Sequence, residues 1–234
     1  MLTTLRQYPL AERSLRELKW KPKQFAFTTH DVTGKTLAIL GLGGIGSRLA
    51  ALAHAFPMRI IYHSRRRNPY APEYCEYFED VEEMLKQADV LSVHVPLRAE
   101  TIGLVGEKWI RTLRRGAIII NTARGKVIDE NAMIKALEDG HVRFCPKCIN
   151  ACHRLTVREH RQLAAVGLDV FPNEPQVNPR LLEFTNVTLL PHVGTETQDT
   201  QRAMEVRALT NLRDFLLTGM GKDLVLEYKL KARL

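Results

Sequence analysis

The chain has 234 residues, 45% hydrophobic and 26% charged, with 14 Gly and 11 Pro, which excludes a disordered, collagen-like or low-complexity polymer and leaves ample length for a buried core. No apolar run approaches the roughly 20 residues of a membrane-spanning helix, the first ten residues are broken by Arg6 and Pro9 and do not read as a secretory signal, and four cysteines in a chain this long do not make a disulfide framework. A cytoplasmic protein with no membrane partner is expected. The formal charge of +8 does not carry a nucleic-acid reading, because half of it lies in residues 142–162 and neither an RNP-like aromatic motif nor a zinc-finger histidine pair is present.

Residues 1–34 read as mostly helical, then irregular, with a charged amphipathic helix over 10–19. From Lys35 onward, strands alternate with helices. Strands are expected at 36–40, 58–63, 90–95, 117–121, 164–169 and 187–190, and helices at 44–56, 81–87, 106–113 and 129–138, with Asp129 as an N-cap. The fully apolar run 36–40 suits a strand covered on both faces. This alternation predicts an α/β fold with a doubly wound parallel sheet. A last helix over 197–217 carries Leu209, Leu212 and Leu216 on one face, which needs a surface to pack against.

Gly41-Leu42-Gly43-Gly44-Ile45-Gly46 forms a G-x-G-x-x-G at a strand-to-helix junction. There the first glycine permits a tight turn, the second admits a pyrophosphate to the backbone, and the third lets helix and strand pack closely. The helix N-terminus adds free N–H donors. A site for NAD places an acid at the end of the second strand, but here the sequence is Tyr62-His63-Ser64-Arg65-Arg66-Arg67. A guanidinium pairs with the 2′-phosphate of NADP, which a carboxylate repels, so NADP is expected in preference to NAD, with Ser64 and Arg65 as its contacts. A solvated basic loop is the plainer alternative.

Asn121-Thr122-Ala123-Arg124-Gly125 directly follows a strand, which places Arg124 where ligands of open α/β sheets bind. A fixed guanidinium can hold a carboxylate and polarise a neighbouring carbonyl. Two further strand ends lead into the segment from Gly167 to Pro175, containing Asp169 and Glu174, and into Pro191-His192-Val193-Gly194. A carboxylate paired with His192 would orient the imidazole and raise its pKa toward general acid–base use. Taken singly, Arg124 also reads as a surface salt bridge, Glu174 as a solvated loop acid, and His192 as a buried hydrogen-bonded histidine.

In order and approximate spacing, these strings resemble the D-isomer-specific 2-hydroxyacid dehydrogenases, closest to the glyoxylate/hydroxypyruvate reductase and mandelate-dehydrogenase-like branch. Val95-Pro96-Leu97 with Thr101 also resembles that family's loop beneath the cofactor. The resemblance runs over about residues 20–217 and implies an NAD(P)-dependent oxidoreductase interconverting a small 2-oxo acid and a D-2-hydroxy acid, assembled as a homodimer. It implies that Arg124 binds the 2-oxo acid, that His192 donates the proton and that Glu174 supports it, with Asp169 near the nicotinamide carboxamide. It also widens the cofactor contacts to Gly44, Ile45, Val95, Pro96 and Thr101, and to Thr122, Ala123, His192 and Gly194.

Two departures from the family pattern stand out. The resemblance implies an N-terminal truncation, leaving 1–34 and 194–234 as remnants of a flavodoxin-like substrate lobe around an NAD(P)-binding domain at 35–193. That loss favours the alternative of a catalytically weak dinucleotide-binding module acting through a protein partner. Residues 142–162 interrupt the pattern and hold Cys145, Cys148, Cys152 and His153. Structural zinc sites draw ligand pairs from separated turns, so no metal is expected from this compact run. Val142-Arg143, Leu155-Thr156 and Gln162 are encodable as a splice donor, branch point and acceptor, and the stretch reads as an insertion or a translated intron.

Overall fold

In the computed structural model, the described residues are 1–20, 25–139 and 163–223. The interruption at 142–162, with its cysteines and histidine, lies outside them. The chain divides into two compact units, 1–191 and 192–234.

The first unit is built on seven parallel strands: β1 (Thr36–Leu40), β2 (Arg59–His63), β3 (Cys75–Tyr77), β4 (Val90–Val93), β5 (Ala117–Asn121), β6 (Leu163–Leu168) and β7 (Val187–Leu189). Their order is β3-β2-β1-β4-β5-β6-β7, so the winding direction reverses between β1 and β4. This is the doubly wound α/β sheet expected from the sequence. The inner strands are buried throughout because both faces are covered. Leu37 and Ile39 pack on one face with Ala50 and Ala53 of α4 (Gly44–His54), while Ala38 and Leu40 join the other face with α5 (Val81–Leu85), α6 (Glu107–Thr112) and α7 (Glu130–Glu138).

The N-terminal segment belongs to the same packing. Leu5, in α1 (Leu2–Leu5), is fully buried in the cluster that contains Ile118, Ile120 and Ala165. Gln7 Nε2 donates to Thr28 O (3.0 Å), and the His30 N–H donates to Leu5 O (2.9 Å), tying in the turn α3 (Phe25–Thr28). Residues 1–34 fall within the first compact unit, which ends at Pro191. The amphipathic helix expected over 10–19 is α2 (Tyr8–Arg16). It starts earlier because proline is tolerated in the first turn, and it ends earlier because Leu18 takes φ +59 and Lys19 N–H bonds back to Ser14 O.

The sequence reading did not find β3, nor α8 (Pro179–Leu182), which Asn178 caps by accepting from Arg180 N–H. The second unit contains α9 (Gln198–Thr218), capped by Thr197 at its start and by Gly219, at φ +74, at its end. Leu209, Leu212 and Leu216 on it are exposed. Among the described residues, no helix is long and apolar enough to cross a membrane.

Candidate functional site

The parallel register brings the strand ends level. His63, Leu40, Val93, Asn121, Leu168 and Leu189 lie in one row across β2, β1, β4, β5, β6 and β7. The residues immediately beyond this row therefore share one edge of the sheet, the edge at which open α/β folds bind ligands.

At the switch point, the turn after β1 enters α4. Gly41 has φ +98, and its N–H donates to His63 O (2.9 Å). A Cβ there would lie 3.0 Å from His94 O and 3.1 Å from Val95 Cγ1, so the turn needs glycine for both conformation and space. A Cβ on Gly46 would lie 2.3 Å from Gly41 O, the close helix–strand approach read from the motif. Gly43 and Gly44, by contrast, face open space, with nothing within 4 Å of where a Cβ would stand. The α4 N-terminus has no side-chain cap. An open cradle in front of uncapped helix N–H groups fits the pyrophosphate of a dinucleotide. Ile45, beside the cradle, is 71% exposed.

At the end of β2, Ser64 Oγ accepts the Leu42 N–H (2.9 Å). Arg65, Arg66 and Arg67 are exposed, and among the described residues none of them forms an ion pair. Asn68, which sequence reasoning missed, donates through Nδ2 to Leu42 O (2.9 Å). Its partner lies 26 residues away, and no local pattern marks such a bond.

Beyond β4, His94 Nε2 meets Ser92 Oγ at 2.8 Å. Burial holds this imidazole at about 4, well below its ordinary value, so it is neutral near pH 7. Val95 is half-buried and Pro96 exposed. The Thr101 hydroxyl, expected among the cofactor contacts, folds its own loop: it lies 2.7 Å from Pro96 O as donor and accepts Arg98 N–H at 2.8 Å.

After β5, buried Asn121 shapes the loop bearing the arginine, because Oδ1 accepts Ala123 N–H and Nδ2 donates to Arg124 O, both at 3.0 Å. Thr122 is exposed and Ala123 half-buried. The exposed Arg124 donates through Nη1 to Ala123 O (2.7 Å) and forms no ion pair among the described residues, which disposes of the surface salt bridge. A Cβ on Gly125 would lie 2.0 Å from the Phe171 carbonyl carbon, so this loop lies directly against the one after β6.

In that second loop, Asp169 is buried and its N–H donates to Asn121 O (3.0 Å). Glu174 is exposed, and its Oε1 accepts Phe171 N–H (2.8 Å), which fixes the turn that carries it. His192 and Gly194 belong to the second unit, three and five residues past β7. His192 is exposed rather than buried and has φ +56, a left-handed conformation that costs a non-glycine residue about 1 kcal/mol.

A glycine turn at the switch point of a doubly wound parallel sheet, with an uncapped helix behind it, defines a dinucleotide-binding domain. The chain belongs to the D-isomer specific 2-hydroxyacid dehydrogenase family, whose NAD-binding-domain model matches residues 1–146. It is 38% identical over 232 residues to a glyoxylate reductase of Thermococcus litoralis, covering 96% of this chain and 63% of that protein. A glyoxylate reductase structure from Paecilomyes thermophila superposes with a TM-score of 0.82 at 39% identity, covering 97% of this chain and 62% of that one. An NADPH-dependent glyoxylate/hydroxypyruvate reductase from Sinorhizobium meliloti, in complex with NADP and malonate, gives 0.78 at 31% identity, covering 97% and 64%. The chain thus spans less than two thirds of each of these relatives.

Proposed function

We propose that the protein is an NADPH-dependent reductase of small 2-oxo acids of the glyoxylate and hydroxypyruvate kind, yielding the D-2-hydroxy acid or oxidising it in reverse. The observation that carries this reading is the level row of strand ends, which sets the nucleotide turn and Arg124 on one edge, with the guanidinium free of any carboxylate among the described residues. Arg124 binds the substrate carboxylate and draws electron density from the adjacent carbonyl. A reduced nicotinamide, when bound, supplies the hydride that adds to the carbonyl carbon. His192 gives a proton to the carbonyl oxygen, and Glu174 supports it in that role. Hydride and proton together convert the C=O into H–C–OH.

The preference for NADPH rests on the absence of an acid after β2 and on the exposed Arg65, supported by the NADP complex of the S. meliloti relative. Ser64 accepts from Leu42, so its own hydroxyl proton remains to be donated to the 2′-phosphate. A cytoplasmic homodimer is part of the same proposal. A binding module without turnover is disfavoured by the presence of Arg124, Glu174 and His192 together.

The test is NADPH oxidation with glyoxylate, hydroxypyruvate and phenylpyruvate. Wild type should turn over at least one of the three, and Arg124→Ala should lose about 100-fold or more in kcat/KM, as removal of a charge-stabilising donor does. Full activity in Arg124→Ala would remove the arginine from the reaction.

A further inference from the structure

The three arginines that follow β2 sit on an arch whose two ends both grip one residue of the nucleotide turn. At the near end, Ser64 Oγ accepts the Leu42 N–H (2.9 Å), and at the far end, Asn68 Nδ2 donates to the Leu42 carbonyl (2.9 Å). Both peptide groups of a single residue are thus held from the same loop. Leu42 is itself fixed, since its side chain is buried in the core cluster beside Ile39 and Tyr62. Asn68 has further attachments: its N–H donates to Tyr62 Oη (3.3 Å), and its Oδ1 accepts Tyr70 N–H (2.9 Å). Tyr77 Oη donates to Ser64 O (3.4 Å). Arg65, Arg66 and Arg67 span the gap between these two ends, exposed and without ion pairs among the described residues.

We infer that Asn68 is a positioning residue for recognition of a 2′-phosphate: its bond to Leu42 holds the arginine arch in place relative to the pyrophosphate turn. The inference rests on the NADPH reading and adds to it the residue through which the discrimination is maintained. The two holds on Leu42 are not equivalent. The turn keeps its shape without Asn68, through the Gly41 N–H on His63 O, the approach of Gly46 to Gly41 O and the buried Leu42 side chain. At the far end of the arch, the Asn68 N–H on Tyr62 Oη and the Ala71 N–H on Asn68 O hold the backbone, but the bond that ties this end to the nucleotide turn is the one from Asn68 Nδ2 to Leu42 O. Releasing that end returns conformational freedom to Arg65–Arg67 that the ligand must then remove on binding. The loss therefore falls on the nucleotide that uses the arginines and spares the one that lacks the phosphate.

The experiment is a fluorescence titration of NADPH and NADH into the full chain, as wild type, Asn68→Ala and Asn68→Ser. Both substitutions are uncharged, so neither places a carboxylate beside the phosphate. Either variant, if folded, should raise the Kd for NADPH about tenfold while changing that for NADH less than about twofold, the scale of one lost hydrogen bond to a group that orders cations. The wild-type arm is read first. If it binds both nucleotides equally, the NADPH reading fails and this inference falls with it. If wild type prefers NADPH and the variants leave the ratio unchanged, whether both constants hold or both rise together, Asn68 is only structural and this inference alone is overturned.

Discussion

His94 shows how one residue at the cofactor edge ties local chemistry to stability. Its backbone lies under the nucleotide turn, its ring meets Ser92, and burial holds its pKa at about 4. The unfolded chain would take up this proton near pH 6.5, whereas the folded chain would not until about pH 4, so between these values the unfolded state binds more protons and stability falls as pH is lowered. The loss should reach about 3 kcal/mol by pH 4 and then level off. Urea unfolding at intervals from pH 7.5 to 4.5 should show this slope in wild type and a shallower one in His94→Asn. Equal slopes would mean that His94 is protonated in the folded protein. At this scale, the glycine motif was readable because its spacing is local, although what crowds Gly41 is His94 and Val95 at the end of β4. Asn68 was not readable, since its role depends on a carbonyl 26 residues away. No local pattern marks the role of Asn121 either, whose amide shapes the loop that presents Arg124.

Among the elements, long apolar strands and capped helices could be read, and short edge elements could not. β1 and β5 were legible to the residue because each holds four consecutive apolar residues, 37–40 and 117–120. β3 has three residues, Cys75-Glu76-Tyr77, too few for a period to show. It is held to β2 by backbone pairing and by Arg59 on Glu76 at 2.6 Å, a surface ion pair worth at most about 1 kcal/mol. β4 stops at Val93 rather than at 95, where the chain turns beneath Gly41. Asp129 was read as the cap of α7, and its Oδ1 accepts Ala132 N–H at 3.1 Å. Its N–H also donates to Val105 O, so the cap sits where two loops meet. Asp129→Ala should cost about 1 kcal/mol, seen as a fall in Tm of about 2–4 °C. An unchanged Tm would show that the helix start is held by the Val105 contact instead.

For the molecule as a whole, the doubly wound sheet followed from strand–helix alternation, and the level row of strand ends followed from the sheet. What did not follow was the attachment of residues 1–20 and 25–30. These carry no strand signal, yet Leu5 is fully buried against β5 and β6, and their hydrogen bonds return to α1. Such packing depends on three-dimensional neighbours rather than on periodicity. The proposed reaction, reduction of a 2-oxo acid with His192 as the proton donor, is supported by the family match. The measurement that tests it most directly is His192→Ala, assayed in parallel for turnover of NADPH with the best of the three 2-oxo acids and for NADPH affinity by fluorescence. The expected result is a loss of about 1,000-fold or more in kcat, with the Kd for NADPH within about twofold of wild type. Turnover retained at the wild-type rate would contradict it, because the proton would then come from another group.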